Sequence, residues 1–167
     1  MKAFNIEAKN ATHIIDAVNE VSNNYAVSSA DLANNLGIVS ATMAAGDTTL
    51  EETLGLMVSI TEITRDASRA ANALKTIGQR LRAVGEDGGE YIGDLQKAFD
   101  EYGISIEIVN AKTGEMSSTY DILKAIADRW NDLNDAQRQT IGELAAGKQR
   151  ITDFNNIESV PRNWFVK

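Results

Sequence analysis

The 167-residue chain contains no cysteine, one proline, one histidine and no long apolar run. The absence of cysteine excludes disulfides, thiolate zinc sites and a cysteine nucleophile, and we expect an intracellular protein. The N-terminal stretch lacks the apolar core of a signal peptide, and no stretch approaches the ~18 consecutive apolar residues of a membrane span. A single histidine, His13, excludes a multi-histidine metal site and is expected on a helix surface.

Because the only proline, Pro161, is close to the C-terminus, the preceding residues are free to form helices. Apolar residues make up 43 % of the sequence and charged residues 24 %, which is typical of a globular protein. The apolar positions recur every three or four residues, with capping pairs and glycines between the runs. The sequence therefore predicts a mainly α fold, a bundle of about seven or eight helices. The pairs that predict helix starts are Ser28 with Asp31, Thr49 with Glu52 and Ser118 with Asp121.

The helical period is interrupted once, near residues 104–117. Ile104, Ile106 and Ile108 alternate with polar residues, as in a half-buried strand, and the segment 110–114 has the composition of a turn. We therefore predict a small β-hairpin near residues 104–117, packed on the helices. Residues 1–157 are predicted to form a single helical domain with a possible seam at 85–89, and residues 158–167 form a divergent C-terminal tail.

The net charge of −8 is unevenly distributed. Residues 65–82 hold five basic side chains and one acidic, whereas the segments on either side are acidic. On a helix, Arg65, Arg69 and Arg80 would share one stripe that could bind a carboxylate-rich partner or a phosphate. The alternative, which we favour, is that they pair with acids on neighbouring helices. Direct binding of nucleic acid is not expected, because the overall charge opposes it.

Two aromatic residues in the tail, Trp164 and Phe165, follow the proline in a polar segment and need a surface to cover them. They either dock back onto the domain or bind a partner. Trp130, in contrast, lies at helical spacing from Ile126 and is expected in the core.

The patterns that suggest catalysis have simpler structural explanations. The segment from Gly142 to Lys148 has the spacing of a phosphate-binding loop, but Gln149 replaces the required hydroxyl and the preceding segment is helical. We interpret Gly147 as a helix C-cap. The adjacent Glu51 and Glu52 suit a helix first turn better than an acid–base pair. We predict no enzyme activity, no metal site and no cofactor.

Several segments resemble the core region of phage tail tape measure proteins, in the order of that family and over residues of about 12–157. They are Ala26–Ala33 (AVSSADLA), Ala73–Arg82 (ALKTIGQRLR), Tyr102–Ile106 (YGISI), Thr113–Glu115 (TGE), Ile122–Trp130 (ILKAIADRW), Ala146–Arg150 (AGKQR) and Phe154. The resemblance implies a protein of the tail lumen that sets tail length and leaves ahead of the DNA. It implies no catalytic residues in this region.

Two functional hypotheses follow. The first is a structural module of a tape measure protein that contacts the tail tube, an assembly chaperone or itself, in the host cytoplasm and then in the tail lumen. The family's long helical stretches are missing here, and one uninterrupted helix of this length would reach about 250 Å, so this folded module is not itself the ruler. The second is a free-standing inhibitor of a host nuclease or other defence protein, of anti-CRISPR type, whose acidic face imitates nucleic acid. The Met start, the divergent tail and the negative charge favour that alternative.

Overall fold

The computed structural model describes residues 2–7, 10–82 and 88–158, and their regular structure is helical apart from one isolated β-bridge. The predicted bundle of seven or eight helices is confirmed. The helices are α1 Ala11–Asn24, α2 Ser29–Ala45, α3 Leu50–Thr64, α4 Ala67–Leu81, α5 Gly88–Tyr102, α6 Thr119–Arg129, α7 Asp135–Ala146 and α8 Ile151–Glu158. Short 3-10 segments cover Lys2–Phe4 and Trp130–Asp132. None of the described helices combines the length and apolarity that crossing a bilayer requires.

The predicted capping residues begin the helices as expected. The Thr49 hydroxyl accepts a hydrogen bond from the Glu52 amide at 3.2 Å, and the Thr49 amide donates to the Glu52 carboxylate at 2.9 Å. Ser28 and Ser118 each accept a hydrogen bond from the amide three residues later. These bonds satisfy first-turn amides that have no partner within the helix, and each is worth about 1 kcal/mol.

Helix α3 lies at the centre of the bundle and contacts α1, α2, α4 and α8. It is buried on almost every side from Thr53 to Thr61. The buried hydroxyls of Thr53 and Thr61 donate to carbonyls one turn earlier in the same helix, at 2.8 and 2.7 Å. A buried hydroxyl with a hydrogen-bond partner carries little penalty, so α3 tolerates these polar residues in the core.

The later helices join this centre through α7 and α8. Helix α7 contacts α4, α5 and α8, while α8 contacts α3, α4, α6 and α7. The buried apolar residues form one continuous cluster that extends along the chain from Val18 to Ile157. Helix α4 ends at Leu81. Most of the expected seam falls in residues 83–87, which lie outside the described residues, so the predicted domain organisation stays a prediction.

The predicted β-hairpin near residues 104–117 is wrong. Among the described residues a single antiparallel bridge joins Val109 and Met116. The segment before the bridge is held by the side chain of Gln96 on α5, which takes the place of a partner strand. Its amide nitrogen donates to the Ile106 carbonyl at 3.0 Å, and its oxygen accepts from the Ile108 amide at 2.8 Å. A helix side chain thus completes the backbone hydrogen bonding that a longer returning strand would have supplied.

Candidate interaction surfaces

Arg65 lies at the corner between α3 and α4, outside the helix that carries the other two arginines. It is the C-cap of α3 and adopts a left-handed conformation, with φ of 57°. Asp66 then caps α4 by accepting a hydrogen bond from the Arg69 amide at 2.9 Å. The expected stripe is therefore interrupted at its first member. Arg65 is exposed, and Ile63, two residues earlier, is 54 % exposed. We call Ile63 and Arg65 the α3–α4 corner.

Arg69 forms an ion pair with a buried carboxylate on α8. Its Nε donates to Asp153 Oδ1 at 2.8 Å, and Arg150 Nη1 lies 3.6 Å from the other carboxylate oxygen. The Asp153 side chain is 1 % exposed, whereas the Arg69 side chain is 44 % exposed. An ionised carboxylate that is so enclosed requires cationic partners. Arg69 therefore links α4 to α8.

Arg80 binds the C-terminal end of α7. Its Nη2 donates to the Glu143 carbonyl at 3.1 Å, and its Nε lies 3.4 Å from the Leu144 carbonyl. The last carbonyls of a helix lack partners and carry partial negative charge, so a guanidinium stabilises this end. Gly147 ends the helix with φ of 78°, a conformation that favours glycine, and a Cβ there would lie 3.5 Å from the Arg80 guanidinium. The interpretation of Gly147 as a C-cap is confirmed.

A groove of about 690 Å³ runs between α5 and α7. Its charged lining is mixed, with three basic side chains, Arg80, Lys97 and Lys148, and three acidic ones, Asp94, Glu101 and Glu143. Lys97 lies 3.7 Å from Asp94, and Arg80 already binds the end of α7. A groove in which the charges balance has no electrostatic preference for an anion such as phosphate.

His13 lies on the exposed surface of α1, as expected, and its Nε2 is 2.6 Å from Glu51 Oε1 on α3. A histidine–carboxylate pair can orient a general base, but such a base needs a nucleophile within reach. The nearby hydroxyls have structural roles: Thr49 caps α3, and Thr48 donates to the Gly46 carbonyl at 3.2 Å. Across the described ranges, no three His, Asp or Glu side chains form a group that could hold a metal ion.

The predicted aromatic surface falls on residues that the structure does not describe, because Trp164 and Phe165 lie in 159–167. Trp130 is in the core, 4 % exposed, and its ring packs edge-on against Phe154 with the centroids 5.8 Å apart. Arg138 donates to the Trp130 carbonyl and stacks over the indole at 5.3 Å. The expectation for Trp130 is confirmed.

One buried acidic residue was not anticipated. Glu158, the last residue of α8, is 2 % exposed, and neither of its carboxyl oxygens has a hydrogen-bond partner in the part of the chain that the structure describes. Burial, with a smaller contribution from the negative charge of Asp128, raises the pKa of Glu158 well above its usual value.

The sequence matches the family model described as phage-related minor tail protein over residues 1–147. The chain belongs to this family. The match covers all the helices up to α7 and most of the segments that carry the resemblance to tape measure proteins. No solved structure matches the chain. Membership gives this minor tail protein a structural role in the phage tail, so it belongs in the virion tail or in the host cell during assembly.

The segment that holds the first three helices is acidic. From Asn10 to Thr64, which spans α1 to α3, the chain carries no lysine or arginine and seven acidic residues. Five of these are exposed: Asp16, Glu20, Asp31, Asp47 and Glu51. The exposed charge of the first three helices is therefore mainly acidic, and Arg65 is the first arginine or lysine after them.

The buried acids of α8 could have been recognised from spacing. Asp153 precedes Ile157 by four residues, and Glu158 follows Phe154 by four, so both acids lie beside the apolar stripe of a helix. If such a position is buried, the acid is either paired with a cation or uncharged. The signal was present in the sequence, but only the packing of α8 against four helices distinguishes burial from exposure.

Proposed function

We propose that this chain is a folded module of a tail tape measure protein that acts through protein–protein contacts and without catalysis. The observation that carries the proposal is the family match over residues 1–147, together with the ordered segments that resemble tape measure proteins. The tail tube, an assembly chaperone or further copies of the same protein are the proposed partners.

The helix lengths are those of a docking module. The longest helix among the described residues, α2, has 17 residues and is therefore only about 26 Å long. A ruler needs helices that span the tail, whereas the described helices fold back on one another into a bundle. We therefore assign the module to attachment or assembly and place the measuring function elsewhere in a tape measure protein.

The α3–α4 corner is the proposed contact point within the module. Arginine is enriched at the energetic centres of protein interfaces, and an exposed apolar side chain such as Ile63 supplies surface that a partner can cover. Arg65 also adopts a backbone conformation that is unfavourable for a non-glycine residue. Neighbouring Arg69 and Arg80 are engaged inside the module, which leaves the corner as the exposed end of the predicted basic surface.

The test uses the phage that encodes this chain. Peptides from the chain should be detected by mass spectrometry in purified virions. An in-frame deletion of residues 10–158 should reduce the number of tails seen by negative-stain microscopy, while the tails that form keep the wild-type length because the measuring function lies elsewhere. An unchanged number of tails would contradict the assignment to attachment or assembly, and virions that lack the peptides would contradict a role in the tail.

A charge reversal tests the contact surface. Arg65→Glu should lower the yield of tails while the melting temperature of the purified chain changes little, because Arg65 is exposed. Lys75→Glu, at an exposed position on α4, is the matched control and should leave assembly intact. Equal yields from the two variants would exclude the corner as the contact.

The alternative of an inhibitor that imitates nucleic acid has no support from the fold or from the family match. The acidic surface of α1 to α3 is compatible with many protein partners, and negative charge alone selects none of them.

A further inference from the structure

The buried carboxyl of Glu158 is placed where an ionised group is strongly disfavoured. The residue ends α8, which packs against α3, α4, α6 and α7. With 2 % exposure and no hydrogen-bond partner among the described residues, its carboxylate form would lose its hydration without compensation. The uncharged form loses much less on burial.

Among the residues that the structure describes, no cation compensates for this burial. Asp128 of α6 acts on Glu158, and its negative charge makes ionisation harder. Helix α3 carries no lysine or arginine. The arginines of the other packed helices have partners elsewhere: Arg69 of α4 binds Asp153, Arg80 of α4 binds the end of α7, Arg129 of α6 binds Asp132, and Arg138 of α7 binds the Trp130 carbonyl. Lys75 of α4 and Lys124 of α6 are exposed.

Helix α8 also packs between the two halves of the molecule. It contacts α3 and α4 from the N-terminal half and α6 and α7 from the C-terminal half. Asp153, near the start of α8, is held by two arginines, so that end of the helix is anchored. At the other end of the helix, no hydrogen bond from the described residues holds the Glu158 carboxyl.

We propose that Glu158 is a pH-dependent latch: uncharged, it keeps the end of α8 packed among four helices, and ionised, it leaves the interior and releases that end. The first turns of α8 stay attached through Asp153. Release therefore loosens the contact between the two halves and does not unfold the protein. This inference depends on α8 alone and is independent of the proposed role in the tail.

The direction of the effect follows from linkage. In the released state Glu158 is exposed and titrates near its usual pKa of about 4.3, whereas the pKa of the buried group is raised. The stabilisation by the uncharged form is complete below about pH 4.3 and is lost as pH rises to the pKa of the buried group. Between these two pKa values, the equilibrium constant for release of the end of α8 should rise up to about tenfold per pH unit. Above the pKa of the buried group it should level off.

Hydrogen exchange of the full chain tests this expectation. Exchange of the α8 amides is measured from pH 5 to 8 and corrected for the intrinsic rate of each amide. The wild-type opening constant should rise with pH, while that of Glu158→Gln, which imitates the uncharged carboxyl, should stay constant. Glu107→Gln is the matched control at an exposed carboxylate and should follow the wild type.

A second measurement does not depend on a variant. The carboxyl carbon of Glu158, followed by NMR in the wild-type chain, should titrate well above the other glutamates. Titration near pH 4.3 would overturn the proposal, and so would equal pH slopes for the wild type and Glu158→Gln. Because none of these outcomes concerns tail assembly, failure of the latch would leave the proposed function standing.

Discussion

Replacing Arg69 by alanine should destabilise the protein more than replacing its partner Asp153 by asparagine. The Arg69 side chain is 44 % exposed and that of Asp153 is 1 % exposed. Arg69→Ala leaves a buried carboxylate whose remaining cation, Arg150, is 3.6 Å away, and such a loss costs about 3 kcal/mol. Asp153→Asn leaves two arginines that water can reach and an amide that still accepts a hydrogen bond, so it should cost about 1 kcal/mol.

Thermal and urea unfolding, followed by circular dichroism, measure the difference. In a chain of this size, a loss of 1 kcal/mol in the free energy of unfolding lowers the melting temperature by about 2–4 °C. Arg69→Ala should therefore lower the melting temperature by about 6–12 °C and Asp153→Asn by about 2–4 °C. Lys75→Ala, an exposed change on the same helix, should shift it by less than about 2 °C. The double variant should be no less stable than Arg69→Ala, because the two changes remove one interaction. A larger loss for Asp153→Asn than for Arg69→Ala would refute the assumption that burial of the carboxylate dominates this pair.

Two further substitutions test how the loops are held. Gln96→Ala removes both hydrogen bonds to the segment before the bridge and should lower the free energy of unfolding by about 1–3 kcal/mol. Hydrogen exchange at the Ile108 amide should become faster. Unchanged exchange would show that the side chain is dispensable. Gly46→Ala places a methyl group against the Thr119 hydroxyl and should cost about 1–3 kcal/mol in urea unfolding. Adding Thr119→Ala should recover part of that loss, and no recovery would argue against the clash as its cause.

The helices were predictable because their signals are local. A capping side chain reaches only three residues along the chain, so Ser28, Thr49 and Ser118 indicate where helices begin without knowledge of the rest of the fold. The hairpin was not predictable in the same way. The alternating isoleucines correctly indicated burial, but the hydrogen-bond partner of that segment is Gln96, whose role depends on how α5 packs.

The arrangement of the three arginines was predicted only in part. Helical periodicity placed Arg65 on a stripe with Arg69 and Arg80, whereas the chain turns at Arg65 and α4 begins after Asp66. A sequence pattern cannot show that turn, because arginine rarely adopts the left-handed conformation that it has here. The favoured pairing with acids on neighbouring helices holds for Arg69, which binds Asp153, whereas Arg80 binds carbonyls at the end of α7.

By itself, the sequence determined the helical class, most helix boundaries, the buried stripes and the family. These depend on side-chain periodicity, capping within a turn and the order of segments along the chain. The tertiary structure alone decided which charges are buried, since Asp153 and Glu158 look like ordinary helix acids until α8 is enclosed by four other helices. Burial is a property of distant segments brought together, and it raises the pKa of Glu158 well above its usual value.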